Sequence, residues 1–360
     1  MKEKVLMAMS GGIDSSVAAL LLQEQGYELV GVTFRTYDSI STACMEKEKG
    51  CCNVDALFEA KRLAEQLGFE HHILDVRKEF DDKVICDFVA EYLEGRTPNP
   101  CVRCNSYIKW GLLLDMAREY GCQKIATGHY AQVMNHKDRY FLRKGTDTGK
   151  DQTYFLWTLT QKNLAATLFP LGKMTKQEVR DFAAAHGYVS LSKKRESQEI
   201  CFIPANDYRQ FLEERVEDYR TRFPAGDFVD REGRVLGKHS GYPNYTIGQR
   251  KGLGIALGYP AYVLEVQPTL NRVVLGRKED LNQMSCYIDQ VNMMKYAQIP
   301  EDLLLTVRVR YRSQGAAATL SYTDEGLLCT FMAPVDAITP GQSAVFYEGD
   351  DLVGGGIIRK

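Results

Sequence analysis

Long hydrophobic runs are missing from this sequence. No stretch of its 360 residues approaches the ~18 consecutive apolar residues of a membrane span. The apolar stretch that follows Lys2 and Lys4 is far shorter than the ~7–15 residues of a signal-peptide core. We therefore expect a cytoplasmic protein with no membrane partner. In that reducing compartment most of the ten cysteines should be thiols, metal ligands or catalysts.

An excess of either charge sign is also missing. Lysine and arginine total 45, aspartate and glutamate total 47, and the net charge is −2. This balance excludes a wholly basic nucleic-acid binder but is compatible with a local basic surface. Hydrophobic residues make up 44% and charged residues 26% of the chain, which is typical of a globular protein. The length predicts two or three domains.

The glycine-rich turn at Ser10–Ser15 (SGGIDS) lacks the Gly-Lys-Ser/Thr ending of a Walker loop. Gly11 and Gly12 permit backbone conformations in which successive N–H groups converge on an anion, and the following helix adds its positive end. The turn therefore predicts a phosphate site. Asp14 would bind a magnesium ion that bridges to the phosphates. The alternative is a tight turn without a ligand.

Apolar stretches and helical patterns alternate in the first part of the chain, which predicts a doubly wound parallel sheet and an α/β fold. The segment GRTPNPCVRCNSYIKWG has the composition of a loop. We predict strands at Val5–Met9, Leu29–Phe34, His72–Val76 and Lys124–Thr127, and helices at Ser15–Gln25, Asn53–Leu67, Asp82–Leu93 and Ile108–Tyr120.

The later part of the chain has the texture of β-structure. A hairpin is predicted within Met134–Arg143, and Thr175 with Glu178 forms a capping-box pattern before a helix. After about Pro224, glycine, β-branched and aromatic residues predict a β-rich middle domain and a C-terminal β-barrel. The predicted domains span residues 1–165, 166–280 and 281–360.

Three arginines alternate with apolar residues in the segment TVRVRYR. On a strand, Arg308, Arg310 and Arg312 would share one face. Three like charges in a row repel one another unless a polyanion lies across them, which favours contact with a phosphate backbone. A solvated edge strand is the alternative.

Cysteine spacing disfavours a structural zinc site and a redox pair, and without further context Cys201 would be interpreted as a small buried hydrophobic residue. Cys101 and Cys104 form a Cys-x-x-Cys pair, and Cys201 lies far downstream. A zinc site would need four ligands, and the adjacent Cys51 and Cys52 are poorly spaced to complete one. A thioredoxin-like site is disfavoured because the pair lies in a proline-rich segment.

Seven stretches spread over nearly the whole chain together resemble the tRNA-specific 2-thiouridylase family, a branch of the N-type ATP pyrophosphatases. They are SGGIDS, TPNPCVRCN, TGHYA, KDQTYFL, SQEICFI, YTIGQRKGLG and PGQSAVFY. The resemblance implies ATP-dependent 2-thiolation of the wobble uridine of tRNA. The uracil C2 oxygen is adenylated, sulfur arrives from a cysteine persulfide, and AMP and pyrophosphate are released. It also implies tRNA and a cysteine desulfurase or sulfur carrier as partners. We expect a monomer.

The resemblance assigns roles to individual residues. Cys201 would carry the persulfide, Cys104 would be the nucleophile that can form a disulfide with Cys201 after transfer, and Asp14 would act with Mg²⁺ at the phosphates. ATP would bind at Ala8, Met9, Ser10, Gly11, Gly12, Ile13, Asp14, Ser15, Phe34 and Gly128. Contacts with tRNA are expected at Asn99, Pro100, Cys101, His129, Lys150, Asp151, Gln152, Arg310, Tyr311, Arg312 and Gln342.

One position departs from the commonest family pattern, in which an aspartate occupies the place of Cys101. Three cysteines, Cys101, Cys104 and Cys201, could together hold a 4Fe–4S cluster with one open iron. A cluster-dependent thiolase is therefore an alternative to the persulfide relay, which the broader likeness favours. Another ATP pyrophosphatase and a non-catalytic RNA-binding protein are the remaining alternatives.

Overall fold

The computed structural model describes residues 2–37, 54–194, 200–203, 207–300 and 302–359. Asn53, the predicted helix cap, and the pair Cys51 and Cys52 lie outside the described residues. The described strands form three sheets, of five, four and eight strands. No helix within the described ranges is long and apolar enough to cross a membrane.

The first sheet confirms the predicted parallel α/β fold. Its strand order is β3-β2-β1-β4-β7, and every pairing in it is parallel. Its apolar centre, around Val5 and Leu6, is fully buried because helices cover both faces. The strands are β1 Lys4–Ala8, β2 Glu28–Arg35, β3 Glu70–Asp75, β4 Lys124–Ala126 and β7 Thr167–Leu168.

Helices follow the strands as the alternating pattern predicts, with two π-helical segments inserted. The π-helices are Asp81–Ile85 and Cys104–Lys109. The α-helices of this part are α1 Ile13–Glu24, α2 Val54–Leu67, α3 Arg77–Phe80, α4 Cys86–Leu93, α5 Pro100–Arg103, α6 Trp110–Glu119, α7 Gln161–Ala165, α8 Lys176–Ala185 and α9 Val189–Ser192.

The predicted loop around the Cys-x-x-Cys pair is wrong, because the chain is helical from Pro100 onward. Helix α5, the second π-helix and α6 follow one another without a break. Pro100 reads as a loop residue but occupies the first helical position, where its missing N–H costs nothing and its fixed φ suits the helix. Cys101 and Cys104 therefore lie one turn apart in a helix.

The predicted first domain ends at residue 165, but residues beyond this point also pack against the first sheet and its helices. Strand β7 pairs with β4, and the capping box at Thr175 and Glu178 begins α8 as expected. Val179 and Ala183 of α8 share a buried core with Val17 and Ala18 of α1. The division of the chain at residues 165 and 280 stays a prediction.

The middle sheet has the strand order β10-β11-β8-β9, consistent with the predicted β-rich domain. Its core joins that of the first domain, since Phe228 and Val263 belong to the same buried cluster as Phe80 and Phe88. The elements are α10 Tyr208–Arg215, α11 Tyr219–Arg222, β8 Gly226–Val229, β9 Val235–His239, β10 Tyr262–Gln267 and β11 Arg272–Gly276.

The C-terminal strands confirm the predicted barrel. Six of them close on themselves through the pairing of β12 with β17, and the predicted hairpin, β5 with β6, extends the sheet at β17. The strands are β5 Ala131–His136, β6 Arg139–Lys144, β12 Asn282–Met293, β13 Leu305–Arg308, β14 Ala316–Thr323, β15 Gly326–Asp336, β16 Ser343–Glu348 and β17 Asp351–Ile358.

A histidine at the edge of the first sheet should make the fold sensitive to acid. Burial, reinforced by His72 and Lys61, lowers the pKa of His71 from 6.5 to about 4. In the unfolded chain His71 becomes protonated near pH 6.5, whereas in the folded chain it becomes protonated only near pH 4. The free energy of unfolding therefore falls as the pH drops from about 6.5 to about 4. Urea unfolding at several pH values should show a shallower fall for His71→Gln. The exposed His136→Gln should retain the wild-type fall.

Candidate functional site

The glycine turn after β1 is shaped by close contact with α2. Gly11 has φ +68°, and a Cβ at this position would lie 2.2 Å from the Ala56 carbonyl oxygen. Both facts require glycine, since no side chain fits and the left-handed conformation is strained for other residues. At Gly12, φ is −87° and the nearest atom to a Cβ would be Ser10 Oγ at 3.4 Å. The turn thus depends on Gly11 far more than on Gly12.

Serine hydroxyls hold the turn in place. Ser10 N–H donates to Ser15 Oγ at 3.1 Å, and the hydroxyls of Ser15 and Ser16 donate to the Gly12 carbonyl oxygen at 3.1 and 3.0 Å. These bonds tie the loop to the first turn of α1, whose side chains leave the N-terminal amides uncapped. The arrangement suits an anion at the helix N-terminus.

Substituting the two glycines separately should distinguish a shaped anion loop from a mere turn. Gly11→Ala should lower ATP affinity by at least about tenfold and destabilise the fold by about 2 kcal/mol or more, because both the φ value and the contact with α2 are lost. Gly12→Ala, the matched control, should change the unfolding free energy far less. Denaturant unfolding and equilibrium nucleotide binding measure the two effects. Equal behaviour of the two variants would contradict this reading of the turn.

Gly128 brings the end of β4 against the start of α1. A Cβ at Gly128 would lie 2.8 Å from both the Asp14 carbonyl carbon and the Ser15 amide nitrogen. The contact is with backbone, which cannot move aside. Gly128 therefore helps to fix the glycine turn, and the expected approach of its own backbone to a nucleotide stays a prediction. Phe34, at the end of β2, lies half-buried at the same carboxyl edge of the sheet.

Asp14 is held by two residues that sequence reasoning missed. Lys176 Nζ donates to its two carboxylate oxygens at 2.8 and 2.9 Å, and Tyr130 Oη donates to Oδ1 at 2.7 Å. The capping box predicted that Lys176 lies at the start of a helix. It did not predict the contact of Lys176 with Asp14, which is 162 residues away in the sequence. A carboxylate is the donor type that Mg²⁺ prefers, so Asp14 fits a magnesium site once Lys176 releases it.

Cys104 and Cys201 contact the same buried cluster. Both are half-buried and pack against an apolar core built around Phe88 and Phe202, which Phe34 also contacts. Although 97 positions separate them in the sequence, the fold brings both cysteines and the edge of the first sheet to one core. The contact with one core is compatible with the expected sulfur chemistry, which stays a prediction.

Phe202 anchors the segment that carries Cys201. Its side chain is fully buried, with ring centroids 5.7 Å from Phe80, 5.3 Å from Phe88 and 5.4 Å from Phe211. Such edge-to-face and tilted pairs add to the stabilisation from burial alone. The aromatic cage therefore fixes the backbone beside Cys201.

The three cysteines of the iron–sulfur alternative are not arranged as a ligand set. Cys101 is exposed, whereas Cys104 and Cys201 are half-buried at the apolar core. Within the described part of the chain, no three histidine, cysteine or carboxylate side chains are grouped to hold a metal ion. The geometry of these residues therefore gives the cluster-dependent alternative no support.

Gln342 lies at the helix that carries the Cys-x-x-Cys pair. Its amide Nε2 donates to the carbonyl oxygens of Thr97 and Pro98 at 3.1 and 2.8 Å, and Thr97 N–H donates to the Pro340 carbonyl oxygen at 2.9 Å. The segment between β15 and β16 of the barrel is thus hydrogen-bonded to the chain immediately before Asn99 and Pro100. These bonds engage the amide group of Gln342 within the protein, and its expected contact with tRNA stays a prediction.

The expected tRNA-contacting run Lys150–Gln152 mostly faces inward. Asp151 is buried, accepts hydrogen bonds from Thr153 N and Oγ1 at 3.1 and 2.7 Å, and burial raises the pKa of its carboxyl. Gln152 Oε1 accepts from Tyr130 N at 3.0 Å. Lys150 and Gln152 are both partly exposed. Asp151 and Gln152 hold the structure together at this point.

The predicted row of three arginines is wrong. Strand β13 ends at Arg308, and the chain turns away over the next residues, so the alternation does not continue. Arg308 pairs with Asp151 at 3.4 Å and Arg310 pairs with Asp336 at 3.0 Å, which neutralises both. Tyr311 Oη donates to the Asp151 carbonyl oxygen at 3.2 Å. Arg312 is exposed and remains suited to a phosphate contact.

His129 is buried at the end of β4. Its Nδ1 lies 2.8 Å from Thr127 Oγ1 and its Nε2 lies 3.3 Å from Lys109 Nζ. Burial, with the nearby Lys109, lowers the pKa of His129 well below its usual value. The imidazole also packs beside Trp110, and the expected contact of His129 with tRNA stays a prediction.

Comparison with known proteins identifies the family. Models described as a tRNA methyl transferase HUP domain, a tRNA methyl transferase PRC-barrel domain and an aminomethyltransferase β-barrel domain match residues 3–205, 209–277 and 283–358. A tRNA-specific 2-thiouridylase MnmA of Amoebophilus asiaticus is 51% identical over 99% of this chain and 96% of its own length. The protein of the same name from Cytophaga hutchinsonii is 50% identical over 100% and 98%. The chain belongs to the tRNA-specific 2-thiouridylase family.

A further relative of the same name also aligns over the full chain. The 2-thiouridylase of Salinibacter ruber is 46% identical over 100% of this chain and 95% of its own length. A solved 4-thiouridine synthetase with RNA and ATP covers 61% of this chain and 52% of its own, at 19% identity and a TM-score of 0.38, which is too low to bear on the site.

Proposed function

We propose that this protein is the ATP-dependent 2-thiouridylase of the wobble uridine of tRNA. The full-length relatives carry that name, and the glycine turn of this chain suits the phosphates of a nucleotide. The observation that carries the proposal is the contact of Cys104 and Cys201 with one core at the edge of the sheet that also bears this turn.

The first chemical step makes the C2 oxygen of uracil a leaving group. The uracil oxygen attacks the α-phosphate of ATP and pyrophosphate departs, leaving an adenylated base. The turn and the uncapped amides of α1 would bind the phosphates, and Gly128 and Phe34 would border the nucleotide. Asp14 would bind the accompanying Mg²⁺, which neutralises phosphate charge.

The second step replaces the activated oxygen by sulfur. Cys201 would carry the terminal sulfur as a persulfide, which attacks C2 and displaces AMP. Cys104 would then attack the inner sulfur of Cys201, so that the terminal sulfur stays on the base and a Cys104–Cys201 disulfide remains. An external thiol must reduce that disulfide before the next cycle. Because each turnover consumes the persulfide, a cysteine desulfurase or a sulfur carrier must reload it.

The tRNA would approach along Asn99–Cys101 and the partly exposed or exposed side chains of Lys150 and Arg312. The other expected contacts are largely engaged within the protein. The exposed Cys101 stands where the family commonly has an aspartate, and a thiol there would serve the target base less well as an acid or base.

A reconstitution experiment tests this function. The protein, unmodified tRNA, Mg²⁺-ATP and a cysteine desulfurase with cysteine are combined, and the digested nucleosides are analysed by mass spectrometry. We expect 2-thiouridine at the wobble position and AMP in equal amount. AMP formation without thiolated nucleoside would favour another ATP pyrophosphatase activity. A methylated nucleoside formed from a methyl donor would contradict thiolation.

A further inference from the structure

The glycine turn lacks a lysine of its own, yet two lysines from a distant part of the chain reach it. Lys176 Nζ contacts both carboxylate oxygens of Asp14, near the end of the turn, at 2.8 and 2.9 Å. Lys194 Nζ donates to the Gly11 carbonyl oxygen, near its beginning, at 3.1 Å. In a Walker loop, the lysine that reaches the β- and γ-phosphates belongs to the loop itself.

Three hydrogen bonds, each donated by a backbone N–H to a side-chain oxygen, set the position of Lys176. Thr175 N–H donates to the Glu178 carboxylate at 2.7 Å, Glu178 N–H donates to Thr175 Oγ1 at 3.2 Å, and Lys176 N–H donates to Asp147 Oδ2 at 2.9 Å. The side chain is only 10% exposed. An ammonium group this buried is costly unless a negative charge faces it, so its location is specific.

Lys194 is placed by the short helix α9. Its amide donates to the Leu191 carbonyl oxygen at 3.1 Å, and Leu191 packs against the core of the first domain. Its ammonium group also pairs with Glu59 of α2. Lys194 lies seven positions before Cys201, so one chain segment contacts the turn and then leads to the sulfur-carrying residue.

We propose that Lys176 and Lys194 together replace the missing loop lysine and bind the pyrophosphate part of ATP. This inference rests on the proposed ATP-dependent function. Before the nucleotide arrives, Asp14 and Glu59 neutralise the two ammonium groups. When phosphates occupy the turn, their greater negative charge attracts both lysines, and Asp14 is released for a cation. The departing pyrophosphate leaves with its charge balanced by residues of the protein.

Binding of inorganic pyrophosphate, ATP and AMP to the full-length protein tests the pair. At constant Mg²⁺, calorimetry should show that Lys176→Met and Lys194→Met each weaken pyrophosphate and ATP binding by about tenfold or more. AMP lacks the β- and γ-phosphates, so its affinity should change by less than about twofold. The exposed neighbour Lys193→Met is the matched control and should bind all three ligands as the wild type does.

A second variant separates charge from packing. Glu59→Gln removes the partner of Lys194 but keeps its ammonium group, so pyrophosphate affinity should be retained or increased. Unchanged pyrophosphate affinity in either lysine variant overturns the proposal that Lys176 and Lys194 together bind the pyrophosphate part of ATP. Equal loss of AMP and pyrophosphate affinity also overturns it, because the lysines would then act only through the shape of the loop. These binding assays need no tRNA. If the wild-type protein binds pyrophosphate but does not thiolate tRNA, the proposed function is contradicted and the binding role of the two lysines is not.

Discussion

Replacing Cys201 by serine should lower formation of 2-thiouridine by at least about a thousandfold, because an alcohol cannot carry the transferable sulfur of a persulfide. The apolar core anchors the neighbouring Phe202, so a change of one atom at Cys201 should leave the fold intact. Pyrophosphate release should persist, since adenylation of the base precedes the arrival of sulfur, whereas AMP stays bonded to the base because no persulfide displaces it. Single-turnover assays with nucleoside mass spectrometry and pyrophosphate quantification measure both quantities.

The matched control for Cys201 is Cys86→Ser. Cys86 is an exposed cysteine at the start of α4 and should be dispensable. Cys104→Ser should resemble Cys201→Ser in multiple turnover, because the second thiol is needed to resolve the persulfide. A Cys201→Ser variant that still thiolates tRNA at the wild-type rate would refute the persulfide relay and favour a different sulfur route.

The second large effect is expected at Asp14. Asp14→Ala should lower the rate of AMP formation by at least about a hundredfold, while the affinity for tRNA is retained. The substitution removes the carboxylate that fits Mg²⁺ and leaves the buried ammonium group of Lys176 without its counter-charge. Labelled ATP gives the rate of AMP formation, and filter binding gives the affinity for tRNA.

Asp115→Ala is the control for Asp14→Ala. Asp115 is an exposed carboxylate that pairs with Arg118 within the same helix, so its loss should change neither measurement. Asp14→Asn keeps the shape of the side chain and should be as inactive as the alanine variant if the charge is what matters. Undiminished AMP formation in either Asp14 variant would contradict the role given to this residue.

Local chemistry decided much of the fold in advance. The alternation of apolar strands and helical patterns predicts the parallel sheet because burial on both faces demands continuous apolar strands. The capping box at Thr175 is also local, since it depends on residues within a few positions, whereas the need for glycine at Gly11 also comes from Ala56 in the distant helix α2. The loop predicted around Cys101 failed because proline is shared by loops and first helical turns.

The expected surface contacts depended on information that is not local. An arginine looks the same in the sequence whether it meets solvent or a buried carboxylate, and only the fold pairs Arg308 with Asp151. His129 and Gln342 likewise turn inward because distant residues meet them. Family resemblance names positions, but burial decides which of them can touch another molecule.

By itself, the sequence determined the parallel sheet and predicted an anion site at the glycine turn, because each arises from residue types at short spacing, and the roles of the cysteines were predicted from family resemblance. Only the tertiary structure decided which charges face the turn and which cysteines share a core. Lys176 and Lys194 reach Asp14 and Gly11 across more than a hundred residues, and their side chains carry no local mark of that destination. The physical reason is that contacts between distant segments follow from how helices and sheets pack together.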